Sequence, residues 1–212
     1  MKTVGTLLFP GFELLDVFGP LEMFGALPDD FALEMVAETA GPVESRQGPK
    51  AIADVALADA KPYDILLIPG GRGTRREVGN TRLIDWLRRH AEASTVVATV
   101  CTGAALLART GLLDRRKATT NKASFGWVVS QAPNVVWQPR ARWVVDAKYY
   151  TSSGVSAGMD MALALIADLL GPDKAHSVAD YAEYRWHNDP DDDPFAALYD
   201  PGGTGGKTGH SD

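Results

Sequence analysis

The chain's single cysteine, Cys101, stands in "TVVATVCTGAALLARTGLL" (95–113), where a β-branched run stops and a helix-like run begins. No spacer separates the two, so the chain has to turn sharply at Cys101, and a sharp strand-to-helix turn presents its side chain at the mouth of a crevice. There the thiol would lie beside the first amides of the helix. The positive end of the helix dipole should then favour thiolate and hold the pKa below the roughly 8.5 of a free cysteine. An unpaired cysteine is more commonly a small buried hydrophobe, but this junction favours a presented nucleophile.

A thiol that forms covalent adducts needs a proton donor and a site for developing charge. In "ELLDVFGP", Asp16 is set among Leu14, Leu15, Val17 and Phe18. Desolvation there would raise its pKa toward that of a general acid. The same residue equally suits a helix N-cap, with Pro20 early in the helix, and Glu13 reads as solvated. The run "IPGGRGT" (68–74) fails as a dinucleotide fingerprint: Gly71 and Gly73 match its first two glycines, the third place holds Arg76, and the ribose-binding acid would fall in a helix around Asp85. These glycines could let backbone approach the crevice and aim an amide at charge beside Cys101; a plain strand-ending turn explains them as well. Of the four histidines, His90 and His187 close helices, His176 lies within one and His210 is near the end. None is placed against Cys101 or paired at metal-ligand spacing, so neither a zinc site nor any cofactor is expected.

The elements that must position these residues alternate. Segments 3–9, 31–38, 64–71 and 94–100 read as strands, the last apolar nearly throughout, as in a central parallel strand covered on both faces. Helices are expected at 81–93, capped by Asn80 or Thr81, at 102–113, closed by Gly111, at 123–133, at 158–171, and at 172–187, which opens with Pro172. Between them, 135–153 alternates well enough for two strands turning near Asp146, Ala147 and Lys148. This order predicts an α/β fold with a mostly parallel sheet and helices on both faces. Ligands of such sheets bind beyond the strands' carboxyl ends, so "FPGFELLD", "PGGRGT" and "CTGA" should converge. Phe9, Phe12, Phe125 and Trp127 are candidates for an apolar pocket lining, although core packing is the simpler explanation for each.

Composition limits the alternatives. A chain of 212 residues, 45% hydrophobic and 23% charged, suits one globular domain, expected over 1–188, with an acidic and then Gly-rich tail at 189–212. The formal charge of -6, with Arg72, Arg75 and Arg76 read as solvated surface, argues against nucleic acid. No run is long enough to span a bilayer and the N-terminus lacks a signal-peptide pattern, so neither a membrane nor secretion is expected. One cysteine permits no internal disulfide, in keeping with a cytoplasmic location.

The four segments "GFELLDVFGPLE", "DILLIPGGRG", "VCTGAALLARTGLLDRRKATT" and "YTSSGVSAGMDMAL" together resemble the DJ/ThiJ/PfpI superfamily, the class I glutamine amidotransferase-like proteins, and within it the isonitrile (isocyanide) hydratase branch. The resemblance covers about 3–187. It implies a flavodoxin-like three-layer sandwich, a homodimer without cofactor, and a nucleophile-elbow cysteine at Cys101 faced by Asp16. It further implies oxyanion-type amides at Gly71 and Thr102, and a pocket completed by Gly70, Ser153, Gly154 and Val155. The implied reaction is cysteine-dependent hydration of a small hydrophobic isonitrile to a formamide. A glyoxalase- or deglycase-like enzyme acting on reactive carbonyls, and a non-catalytic redox sensor, are the alternatives. Thr102 stands where the proteolytic branch has His, which disfavours a peptidase. Thr119, Thr120 and Asn121 replace a Thr-Thr-His run common in relatives. No helix-turn-helix module is expected to follow the domain.

Overall fold

The structure, a computed structural model, describes residues 1–199. The chain runs β1 (Lys2–Leu7), α1 (Leu14–Gly25), β2 (Phe31–Ala37), β3 (Gly41–Glu44), β4 (Lys50–Ala53), β5 (Val55–Ala56) and β6 (Ile65–Ile68). It continues through α2 (Thr74–Glu77), α3 (Thr81–Ala93), β7 (Val96–Thr99), α4 (Gly103–Arg109), β8 (Lys117–Ala118), α5 (Phe125–Gln131) and β9 (Val136–Trp137). The last elements are β10 (Trp143–Asp146), β11 (Tyr149–Ser152), α6 (Ala157–Leu170) and α7 (Pro172–Tyr181).

Seven strands form the main sheet in the order β10-β11-β7-β6-β1-β2-β5, all neighbours parallel except the β10–β11 pair. Counted along the chain, the five strands β1, β2, β6, β7 and β11 stand in the order 2-1-3-4-5 of the flavodoxin-like doubly wound sheet, whose switch point lies between β1 and β6. The period-2 rule sorts their side chains into two cores. Leu66 and Ile68 of β6 and Val97 of β7 pack with Leu83, Trp86 and Leu87 of α3 and Leu106 and Leu107 of α4. Ile65, Leu67, Val96 and Ala98 face the other way, onto Phe24 of α1, Met161 and Leu165 of α6 and Val178 of α7. Because both faces are covered, the central strands are apolar without alternation, which is what made them legible.

Local signals operate where expected. The Asn80 side chain accepts from Leu83 N at 3.2 Å and caps α3, Gly111 with a φ of 81° follows α4, and Ala147 with a φ of 54° turns β10 into β11.

The departures are informative. Segment 10–16 is not all loop, since α1 begins at Leu14 and keeps Pro20 inside it. The final helix stops at Tyr181 rather than 187, with Glu183 at a φ of 48° just beyond. Only part of 135–153 forms the expected hairpin: β9 pairs instead with β8 in a separate two-stranded sheet. A hairpin that the reading of the sequence omitted, β3 with β4, folds over the start of α1, where Gly11 N donates to Glu44 O at 2.8 Å and Arg46 N to Phe12 O at 2.8 Å. Pro42, Pro49 and interspersed charges hide its alternation.

Residues 182–199 close over the edge of the sheet through buried charge. Asp160, in the first turn of α6 and fully buried, accepts from Arg142 Nε at 2.7 Å, Tyr184 OH at 2.9 Å and His187 N at 3.0 Å. Asp193 is buried too, 3.6 Å from Arg142 Nη1 and 3.7 Å from Lys122 Nζ. The Gly-rich stretch from 200, with His210, lies outside the described residues. Among the described residues no helix is long and apolar enough to cross a membrane.

Replacing Asp160 by Ala would leave the Arg142 guanidinium buried without its principal partner. Urea unfolding of Asp160→Ala is expected to show a loss of about 3–5 kcal/mol; an unchanged midpoint would contradict this account of the closure.

Candidate active site

Cys101 has a φ of 56°, a left-handed conformation that costs a non-glycine residue about 1–3 kcal/mol. The surrounding backbone enforces it. Cys101 N donates to Ser153 O at 3.1 Å, and Thr120 Oγ1 donates to Cys101 O at 2.7 Å. Two residues on, α4 starts so close to the end of β6 that a Cβ at Gly103 would stand 2.3 Å from Ile68 O and 2.7 Å from Pro69 O. The sulfur is thereby set at the sheet's carboxyl edge, 7% of the residue reaching solvent.

Asp16 meets it there. It occupies the third position of α1, the N-cap being Glu13, so the capping alternative is excluded. Its Oδ2 accepts from Gly70 N at 2.8 Å. Oδ1 is buried without a hydrogen-bond partner, and the Cys101 thiol is close enough to act on the carboxyl. Full burial pushes the Asp16 carboxyl well above the usual carboxylate range, with a smaller push from Glu13, against the pull of the Gly70 amide.

The thiol departs from expectation. Cys101 is also pushed well above its ordinary value, by burial first and then by the Asp16 charge, and the Thr102 amide and hydroxyl recover only part of this. The amide at the start of α4 does favour thiolate, as the helix-dipole argument required, but desolvation and two nearby carboxyl groups outweigh it. Both shifts run upward, toward the protonated forms.

Glycines frame this pair. A Cβ at Gly70 would lie 2.6 Å from Thr102 N and 2.9 Å from Asp16 Oδ2. Gly71, at a φ of 124°, packs against Gly11 and Glu13 backbone. Its N–H donates to Thr102 Oγ1 at 3.0 Å. The role of Gly71 as an oxyanion donor is therefore corrected: its amide is already engaged, whereas the Thr102 amide faces the sulfur. Ser153 contributes its carbonyl, Val155 lines the cleft, and Gly154 leaves the gap in which Asn121 Nδ2 approaches the sulfur's side of the cleft.

The cleft over Cys101 encloses about 300 Å³, and its lining is polar: Glu13, Arg46, Arg72, Arg75, Asn121 and Ser124 stand around Cys101 and Thr102. This overturns the expected aromatic pocket. Phe12 is fully buried in the core. Phe9 borders a separate groove of about 920 Å³ in which Cys101 takes no part, and Phe125 lines another cavity beside Lys122. Trp127 stacks beneath the Arg75 guanidinium, 4.5 Å from its ring centroid. Glu13, 14% exposed at its side chain, is part of the cleft rather than free surface, and so are Arg72 and Arg75. His90, His176 and His187 take no part in it. Arg46 escaped notice because the β3–β4 hairpin did; no local signal marks it.

The DJ-1/PfpI family model matches residues 2–168. The chain belongs to the DJ-1/PfpI family. Among curated relatives, the isonitrile hydratase of Pseudomonas putida is 32% identical over 181 residues, covering 85% of this chain and 78% of that protein. The glutathione-independent glyoxalase DJR-1.2 of Caenorhabditis elegans is 26% identical over 143 residues, 65% of this chain and 73% of that protein. Among solved structures, a ThiJ/PfpI family protein from Pseudomonas syringae superposes with a TM-score of 0.81 at 26% identity, covering 86% of this chain and 75% of that one. The flavodoxin-like sandwich of DJ-1/PfpI proteins is thus the fold of this chain.

Two measurements follow from the pair's protonation. The rate of Cys101 alkylation against pH should rise with a midpoint above that of a free thiol and move to lower pH in Asp16→Asn, because removing the carboxylate removes one cause of the upward shift. For stability, the folded pKa of Asp16 lies above its unfolded value, so its favourable contribution is complete below the unfolded pKa and is lost as pH rises through the folded one. Stability of Asp16→Asn relative to the parent should accordingly increase as pH rises above the ordinary carboxyl range of about 4; a difference independent of pH would contradict the raised carboxyl.

Proposed function

We propose that the protein hydrates an isonitrile, R-N≡C, to the N-substituted formamide, with Cys101 as nucleophile and Asp16 as acid and base. The observation that carries this reading is the buried Asp16–Cys101 pair, a carboxyl and a thiol side by side in one site, each pushed by burial toward its protonated form. An isonitrile carbon accepts a proton and a nucleophile at the same atom, which is what a carboxylic acid and a thiol side by side can deliver.

Asp16 gives its proton to the terminal carbon while the Cys101 sulfur bonds to that carbon, and the thiol proton passes to the Asp16 carboxylate. The product is a thioimidate, Cys-S-CH=N-R, with Asp16 protonated again. Asp16 next protonates the nitrogen and takes a proton from the water that adds to the carbon. Collapse of the adduct breaks the C–S bond and moves the hydroxyl proton, by way of Asp16, to the departing sulfur. R-NH-CHO leaves and both starting groups are restored. The Thr102 amide, beside the sulfur, and the Asn121 side-chain amide would hold the adduct's polar atoms.

A second reading draws on the polar lining. A reactive carbonyl such as a glyoxal would find donors in Asn121, Ser124 and Arg75, and a glyoxalase stands among the relatives. A redox sensor is less well supported, because a thiol pushed upward by burial is slow to oxidise. The catalytic reading keeps the working site within residues 1–188, against which 189–199 pack, in a cytoplasmic homodimer. Leu15 and Phe18, apolar and exposed on α1, support the dimer.

Incubation with cyclohexyl isocyanide should yield the formamide, with product lost in Cys101→Ala and kcat lowered about 10²–10⁴-fold in Asp16→Asn. Lactate formed from methylglyoxal with no formamide from the isocyanide would transfer the proposal to the second reading, and an oxygen adduct on Cys101 without either product would reject both.

A further inference from the structure

We infer that the cleft selects a substrate bearing a carboxylate, received by Arg72 and Arg75 at the mouth above Cys101. The reacting group in this inference rests on the hydratase reading, whereas the anion selectivity rests on the charge of the mouth itself.

Three arginines line the cleft with Cys101: Arg46 from the β3–β4 hairpin, and Arg72 and Arg75 from the turn after β6 and the start of α2. Glu13 is the one acidic residue in that lining, and its charge is already met by Arg46 at 3.9 Å and by the Gln47 amide. Asp16 lies below, fully buried and outside that lining. Arg72 is exposed and, among the described residues, has neither an ion pair nor a side-chain hydrogen bond. Arg75 faces no carboxylate: Nη2 donates to Ser124 Oγ at 3.3 Å and the guanidinium is propped on the Trp127 ring.

Arg76, Arg82 and Arg116 sit beside Glu77, Glu38 and Asp146; what sets Arg72 and Arg75 apart from other arginines without an ion pair among the described residues, such as Arg88 and Arg109, is that they line the cavity that holds Cys101. A chain of net charge -6 has thus gathered uncompensated positive charge at the entrance to its nucleophile. The adjoining open groove of about 680 Å³ extends the same lining, with Arg46, Arg72, Arg75 and Arg76 against Glu44. Guanidinium groups match a carboxylate's two oxygens geometrically, and a cleft of about 300 Å³ admits only a small molecule. The chemical class is therefore a small isocyano carboxylate.

The test compares kcat/KM for isocyanoacetate and its neutral methyl ester, and in parallel the rates at which iodoacetate and iodoacetamide alkylate Cys101 in the intact protein. In both comparisons the acid is expected to be favoured by about tenfold or more at low ionic strength, with the preference shrinking in salt. It should fall in Arg72→Gln, vanish in Arg72→Gln with Arg75→Gln, and partly return in Arg72→Lys. Failure of both isonitriles with an arginine-dependent preference for iodoacetate would sink the hydratase reading and keep the anion site. Equal turnover of acid and ester with no preference for iodoacetate, or a preference that survives the double substitution, would overturn the anion site and leave the hydratase reading intact.

Discussion

Desolvation of one carboxyl group organises this protein's chemistry. Asp16 has no solvent exposure, a single amide bond from Gly70, and a second oxygen with no hydrogen-bond partner. Ionising either member of the pair in that setting places a charge in a dry site beside another acidic group, which pushes both toward their protonated forms. Such a site disfavours a resting thiolate, and under the proposed reaction it suits an electrophile that must be protonated before it can be attacked.

Close backbone packing makes the pair possible. Side chains at Gly70 or Gly103 would collide with the Asp16 carboxyl, the Thr102 amide or the carbonyls that end β6. With no Cβ at these points, three chain segments approach within hydrogen-bond distance at the switch point between β1 and β6, and Cys101 is held at positive φ by a bond from its N–H to Ser153 O and one from Thr120 to its carbonyl. Strain at Cys101 is maintained by the sheet around it rather than by any preference of the residue itself. Buried ion pairs serve a related end beside the site, where Asp160 and Asp193 bind the segment after α7 against Arg142, whose carbonyl accepts from Ser153 N, and Lys122.

Around this buried pair the mouth is charged. Under the proposed reaction a polar rim above a dry floor would separate two tasks, the arginines orienting an anionic group and the base of the cleft moving protons at low effective dielectric. The aromatic side chains that might have made an apolar pocket are occupied otherwise, Phe9 and Phe12 in the core and Trp127 as a platform for Arg75.

The strands flanking the site, the helix at 81–93 and the meeting of Asp16 with Cys101 were legible in the residues, because unbroken apolar runs, an Asn cap and a thiol at a strand-to-helix junction are local signals with few structural solutions. Those signals sufficed for the sheet's architecture and for bringing Asp16 and Cys101 to one cleft. The direction of the thiol's shift was not legible: it depends on how completely residues distant in sequence exclude water, and burial outweighed the local dipole. The lining of the cleft was decided by tertiary structure as well, since Arg46 arrives on a hairpin without clear alternation and Arg72 and Arg75 look like ordinary surface until the fold turns them over the sulfur. Periodicity reports which side of an element meets the core; only the packed chain determines which charges share a cavity.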